Sequence, residues 1–162
     1  MRKLLVPAVC LALAGCGFQL RGTADVPFDT LYLPNATTGI ALDLKRNIQS
    51  GTRAKVVDDP KSAQAILQFT EETRNKEILS LTGTGRVREF QLRYRVAFRV
   101  HDGKGGDYVP PSLIQLTRDV TFNDAEILAK EAEEQLLFRD MQTDMVQQIM
   151  RRLAAAHKPT PQ

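Results

Sequence analysis

The chain has 162 residues, enough for one domain of ordinary size. Its formal charge of +3, from 22 Lys+Arg against 19 Asp+Glu, is too small to argue for nucleic acid unless basic residues cluster. Two cysteines and two histidines leave little material for a disulfide framework, a metal centre or a thiol nucleophile.

Met1-Arg2-Lys3 is a positive start, followed by an apolar run from Leu4 to Ala14. This is the build of a secretory signal. The run is shorter than the ~20 residues a membrane-spanning helix needs. Leu13-Ala14-Gly15-Cys16 resembles the lipobox of bacterial lipoproteins. The resemblance implies cleavage before Cys16, a thioether-linked diacylglycerol on its sulfur and an N-acyl chain on the new terminus. Gly17 stands where some lipoproteins carry a retaining Asp, so the implied address is the outer membrane, lipid-anchored on the periplasmic side. Loss of Arg2 and Lys3 with the signal leaves 20 basic against 19 acidic residues, a formal +1. Cys10 lies in the signal, so the mature domain has no free thiol.

Residues 16–28 read as a lipidated tether. Phe18, Leu20, Val26 and Phe28 are its candidates for packing on the domain. Thr30 to Leu33 is a short strand closed by Pro34-Asn35. A helix capped by Thr37 or Thr38 runs to about Ser50, with Ile40, Ala41, Leu44 and Ile48 on one face. Lys55 to Val57 is a second short strand. Ala63, Ala65, Leu67 and Phe69 make an apolar row in a long third strand. Gln64, Gln68, Thr70 and Glu72 face the other way. After the turn Thr82 to Gly85, Phe90, Leu92, Tyr94, Val96, Phe98 and Val100 alternate with Glu89, Gln91, Arg93, Arg95 and Arg99, the pattern of a strand with one solvated face. Ile114, Leu116, Val120 and Phe122 continue the alternation, interrupted by Arg118. A last helix capped by Asn123 or Asp124 extends to about Ala156. Leu137, Met141, Met145, Ile149 and Leu153 form its apolar row. Leu128, Ala132, Phe138, Val146 and Met150 widen it. The expected domain therefore covers 29–156, between a signal at 1–15 and a disordered tail at 157–162. Its class is α+β: one sheet, apolar on one face, covered by two helices.

Catalytic and metal chemistry find little support. His101 and His157 are not spaced with a nucleophile or metal ligands. Glu131, Glu133 and Glu134 suit solvation near a helix start better than acid–base work. Thr82-Gly83-Thr84-Gly85 lacks the lysine of a phosphate loop. Met141, Met145 and Met150 read as core filler. No cofactor is expected beyond the lipid on Cys16. The arginines are more informative. Arg93, Arg95 and Arg99 share one strand face, and Arg86 and Arg88 sit beside the turn. Guanidinium groups suit phosphates and carboxylates. The alternative is pairing with Glu72 and other carboxylates across the sheet. Lys130 near a helix start is disfavoured by the dipole, and helical ion pairs with Glu126, Glu131 or Glu134 are its plain explanation.

Gly15-Cys16-Gly17-Phe18-Gln19-Leu20-Arg21-Gly22, Arg88 to Leu92, Phe122-Asn123-Asp124, Ile127 to Glu131 and Arg139-Asp140-Met141 resemble the LptE family of lipopolysaccharide-assembly lipoproteins. The resemblance spans essentially the whole mature chain. It implies a four-stranded, largely antiparallel sheet with two helices on one face. It implies a non-catalytic role: plugging and helping to assemble the outer-membrane β-barrel LptD, and binding lipopolysaccharide for delivery to the outer leaflet. Some members use a basic residue at the turn before the central strand and a lysine before the last helix for that binding. Lys130 matches the lysine through its Leu-Ala-Lys context. Thr82 to Gly85 holds no basic residue, which leaves Arg86 and Arg88 as the nearby candidates. The expected partners are LptD, lipopolysaccharide and a membrane reached through the anchor, with no nucleic acid. The competing classes are a lipid-anchored envelope hydrolase and a general periplasmic chaperone.

Overall fold

In the computed structural model, residues 25–159 are described. The signal, Cys16 and most of the tether lie outside that range, as do the last three residues. The elements run β1 (Thr30–Tyr32), α1 (Gly39–Gly51), β2 (Lys55–Val57), a short 3-10 turn (Pro60–Ser62), β3 (Ala65–Leu81), β4 (Val87–His101), β5 (Asp107–Thr121), a second 3-10 turn (Asp124–Glu126) and α2 (Ile127–Ala154).

The sheet has five strands in the order β2-β1-β3-β4-β5 and is mixed. This corrects the expected four-stranded, largely antiparallel sheet. β1 pairs in parallel with both β2 and β3, while β3–β4–β5 are antiparallel. The physical reason is the crossover. α1 carries the chain back before β2, so β2 enters beside β1 in the same direction. β2 then contributes the short outer strand as a fifth member. Three residues expose little unpaired backbone at that edge. On the opposite edge, Pro110 and Pro111 in β5 lack N–H donors, which blunts it in the same sense.

One core fills the space between sheet and helices. Leu92, Tyr94, Val96, Phe98 and Val100 of β4 alternate inward and are almost fully buried. They meet Met141, Met145, Ile149 and Leu153 of α2 and Leu44 and Ile48 of α1. The two helices lie side by side and run the same way. The Gln142 amide donates to the Asp43 carboxylate at 2.5 Å, and the Gln147 amide to Asn47 at 3.3 Å. Phe28 is buried, and its ring meets Tyr108 edge-on at 5.4 Å.

The alternation in β3 does not run through. A bulge between Phe69 and Glu71 shifts the register, so Glu72, Arg74, Lys76 and Ile78 turn toward the helix face. Glu72 therefore lies on the opposite face from the one its parity implies. The hairpin that follows closes tightly. The Thr82 and Gly85 backbones bond to Arg86 and Thr82 respectively, and Gly85 has φ +80, where a side chain would be strained. β3, β4 and β5 outrun β1, β2 and α1. The sheet's far half is thus three-stranded and covered only by the first turns of α2.

Candidate functional site

Arg86, Arg88 and Lys130 all fall at the far end. Lys130, in the first turn of α2, donates to the Thr121 hydroxyl at 3.2 Å and to Glu133 at 2.8 Å. Its carboxylate partner is thus Glu133, three residues on, and not Glu126, Glu131 or Glu134. Glu134 instead bonds Lys76 of β3 at 2.6 Å. Thr121 is paired across the ladder with Glu89, and Glu89 holds Arg88 at 3.3 Å. The Arg88 carbonyl accepts the Phe122 N–H at 2.8 Å. Lys130 and Arg88 are therefore linked through the Thr121–Glu89 pair. The Ser80 hydroxyl, and then Arg88, hold the Glu89 carboxyl below its usual range, so it stays charged. Arg86 is exposed. Its backbone N–H donates to the Thr82 hydroxyl at 3.1 Å and fixes the base of the turn.

The same end exposes large apolar side chains. Ile78, Leu79 and Leu81 at the end of β3, and Ile127, Leu128 and Leu136 on α2, are about half exposed or more, with Leu128 at 82%. Leu128 and Ala132 thus do not widen the buried stripe of α2. The first turns of the helix overhang the sheet, so the stripe begins to bury only near Leu137. Phe90 and Phe122 stack edge-on at 5.3 Å beneath them, and the Lys76 ammonium sits 4.3 Å over the Phe90 ring. The sequence carried a signal for this rim. Ile78-Leu79 breaks the period of two, so one of the pair must face away from the core.

The arginines of the open sheet face are committed elsewhere. Arg93 pairs with Glu77 at 2.9 Å, Arg95 with Glu71 at 3.8 Å and Arg99 with Asp107 at 2.6 Å. This is the cross-strand reading, with Glu71, Glu77 and Asp107 as partners in place of Glu72. On the helix face, Glu72 accepts from the buried Tyr94 hydroxyl at 2.7 Å, and the Arg74 guanidinium lies 4.7 Å from the Tyr94 ring. The His101 ring accepts the Gly103 N–H at 3.1 Å within the β4–β5 turn. His157 is exposed, and Met141 and Met145 are fully buried among apolar side chains.

Fold and site define a two-layer α+β domain whose far end combines clustered cations with uncovered apolar residues. A profile of the LptE lipopolysaccharide-assembly family matches residues 27–153, and the chain belongs to that family. It is 28% identical to the LPS-assembly lipoprotein LptE of Photorhabdus laumondii, over 98% of this chain and 88% of that one. It is 31% identical to the LptE of Yersinia enterocolitica, over 95% of this chain and 75% of that one. The solution structure of lipoprotein B from Nitrosomonas europaea superposes with a TM-score of 0.73 at 47% identity, covering 86% of this chain and 91% of that one. The crystal structure of rare lipoprotein B from Shewanella oneidensis gives 0.67 at 25%, covering 78% and 94%. Among the described residues no helix is long and apolar enough to cross a membrane.

Proposed function

We propose that the chain is an outer-membrane lipoprotein that plugs and helps assemble the LptD β-barrel and binds lipopolysaccharide for delivery to the outer leaflet. Cys16 is the anchoring residue, and the domain works from the periplasmic side. Family membership supports the role, as do relatives named as LPS-assembly lipoproteins. The observation that carries the binding site is the shared location of Arg86, Arg88 and Lys130 with Ile78, Leu79, Leu81 and Leu128. Lipopolysaccharide presents phosphates beside acyl chains, and this end offers cations beside exposed aliphatic side chains. Glu89 and Glu133 hold two of the cations, Arg88 and Lys130, in place before a phosphate replaces them. Arg88 is well exposed, and an exposed ion pair of its kind is worth at most about 1 kcal/mol, so exchanging its partner costs little.

The test is charge reversal. Arg86→Glu, Arg88→Glu and Lys130→Glu together should weaken binding of purified lipopolysaccharide on the order of a hundredfold, at about fivefold per cation. Melting temperature and co-purification of the barrel should stay near wild type. Unchanged lipopolysaccharide affinity would overturn the site.

A further inference from the structure

The opposite end of the molecule carries a second basic feature. An open cleft of about 390 Å³ lies among the Pro60–Ser62 turn, the β4–β5 turn and the residues that follow α2. Lys61, Lys104 and Lys158 line it, with Gln64, Asp102 and Tyr108. The three lysines come from three separate segments and all are exposed. None of them forms an ion pair among the described residues. The Asp102 carboxylate is committed to the turn, accepting the Lys104 N–H at 2.7 Å and the Gly106 N–H at 2.9 Å. Pro159 closes one side. A Cβ built on Gly106 would lie 2.5 Å from it, so only glycine lets Pro159 sit there.

This is also the end at which the chain enters the domain. Phe28 is packed against Tyr108, a wall of the cleft. Asp25 stands nine positions after Cys16. Nine residues reach at most ~30 Å even when fully extended. The Thr82–Arg86 turn lies beyond the 15 residues of β4, about 50 Å along the sheet. A lipid on Cys16 would therefore keep the lysine end within ~30 Å of the leaflet, a distance the far end cannot match.

We infer that the cleft of Lys61, Lys104 and Lys158 docks on the anionic phospholipid headgroups of the leaflet that carries the Cys16 anchor, and holds the tether end of the domain at the headgroup layer. The inference rests on the anchor reading of Cys16 and is independent of lipopolysaccharide binding at the far end. Charge and reach both favour this occupant. Ammonium groups act as compact point charges and need no fixed bidentate geometry, which suits headgroups that diffuse in a fluid leaflet. A lipid chain and a basic patch reinforce each other because the anchor keeps the patch at high local concentration.

The test uses the lipidated chain, reconstituted in phosphatidylcholine vesicles with and without phosphatidylglycerol. Each lysine at an anionic surface strengthens contact about fivefold. Acetylation of Lys61, Lys104 and Lys158 by an amine reagent should therefore fall about tenfold or more when phosphatidylglycerol is present. It should recover at high salt, where the charges are screened. Hydrogen exchange of the Asp102 to Gly106 turn should slow in the same vesicles. That slowing should vanish in the K61Q/K104Q/K158Q variant, whose exposed substitutions leave the melting temperature unchanged. Equal labelling in both vesicle types would overturn the docking. So would equal protection by inorganic phosphate without vesicles, which would mark a site for a small anion. A chain that fails to float even with phosphatidylcholine vesicles would remove the anchor and the docking together. One that floats but labels equally would remove the docking alone.

Discussion

Tyr94 shows how a single residue ties the core to its polar flank. Its ring is fully buried at the centre of β4, while its hydroxyl donates to Glu72 and meets Arg74. Burial, then the hydrogen bond to Glu72, raises the phenol well above its ordinary value. In the unfolded chain a tyrosine releases its proton near pH 10, about the model-peptide value. Folded Tyr94 keeps its proton to higher pH. Above about pH 10 the unfolded state then binds fewer protons, and stability falls as pH rises. Below that pH the contribution is constant. Tyr94→Phe should cost about 1.5 kcal/mol at neutral pH, since a bond to a charged partner is lost. It should also flatten the alkaline decline, as measured by urea denaturation across pH. An equal alkaline slope in both proteins would contradict this account of Tyr94. The partnership itself was not legible in the sequence. Glu72 has the parity of the open face, and only the bulge after Phe69 turns it inward.

At the scale of elements, α2 is one continuous helix whose two halves differ in burial. From Met141 to Leu153 its apolar row is buried against β4 and α1. Its first turns are pinned by polar contacts, Lys76 to Glu134 and Lys130 to Thr121, and leave Leu128 in solvent. Further along, Arg118 on β5 clasps Asp144 at 2.8 Å. Met145→Ala should cost about 2–5 kcal/mol, a transfer and cavity loss at a fully buried site. Leu128→Ala should fall within about 0.5 kcal/mol of wild type, because nothing packs on it. Thermal melts of the two variants check the contrast, and similar losses would show that the first turns are packed after all. The helix and most of its buried row were readable from the spacing of four. Where burial starts was not, because Leu128 and Ala132 continue the same stripe and periodicity carries no information about where the sheet ends. The same limit applies to β2. Lys55 to Val57 was visible as a strand, but its parallel pairing with β1 depends on the α1 crossover, which strand patterning does not encode.

At the scale of the whole molecule, the length of the long strands sets the two ends of the domain about 50 Å apart. The chain enters the domain at one, beside Phe28, Tyr108 and the lysine cleft. Exposed apolar side chains and the cations Arg86, Arg88 and Lys130 gather at the other. The open sheet face between them pairs its arginines internally with Glu71, Glu77 and Asp107. The basic residues that looked most prominent in the sequence, Arg93, Arg95 and Arg99, are thus structural. The more modest ones at turn and helix start occupy the end suited to an amphiphile. Position-specific photo-cross-linking to lipopolysaccharide tests this polarity most directly. A photoreactive side chain at Leu128 or Leu81, both exposed, should capture lipopolysaccharide, while one at Leu113, exposed on β5 away from that end, should not. Capture at Leu113 with none at Leu128 and Leu81 would contradict the assignment.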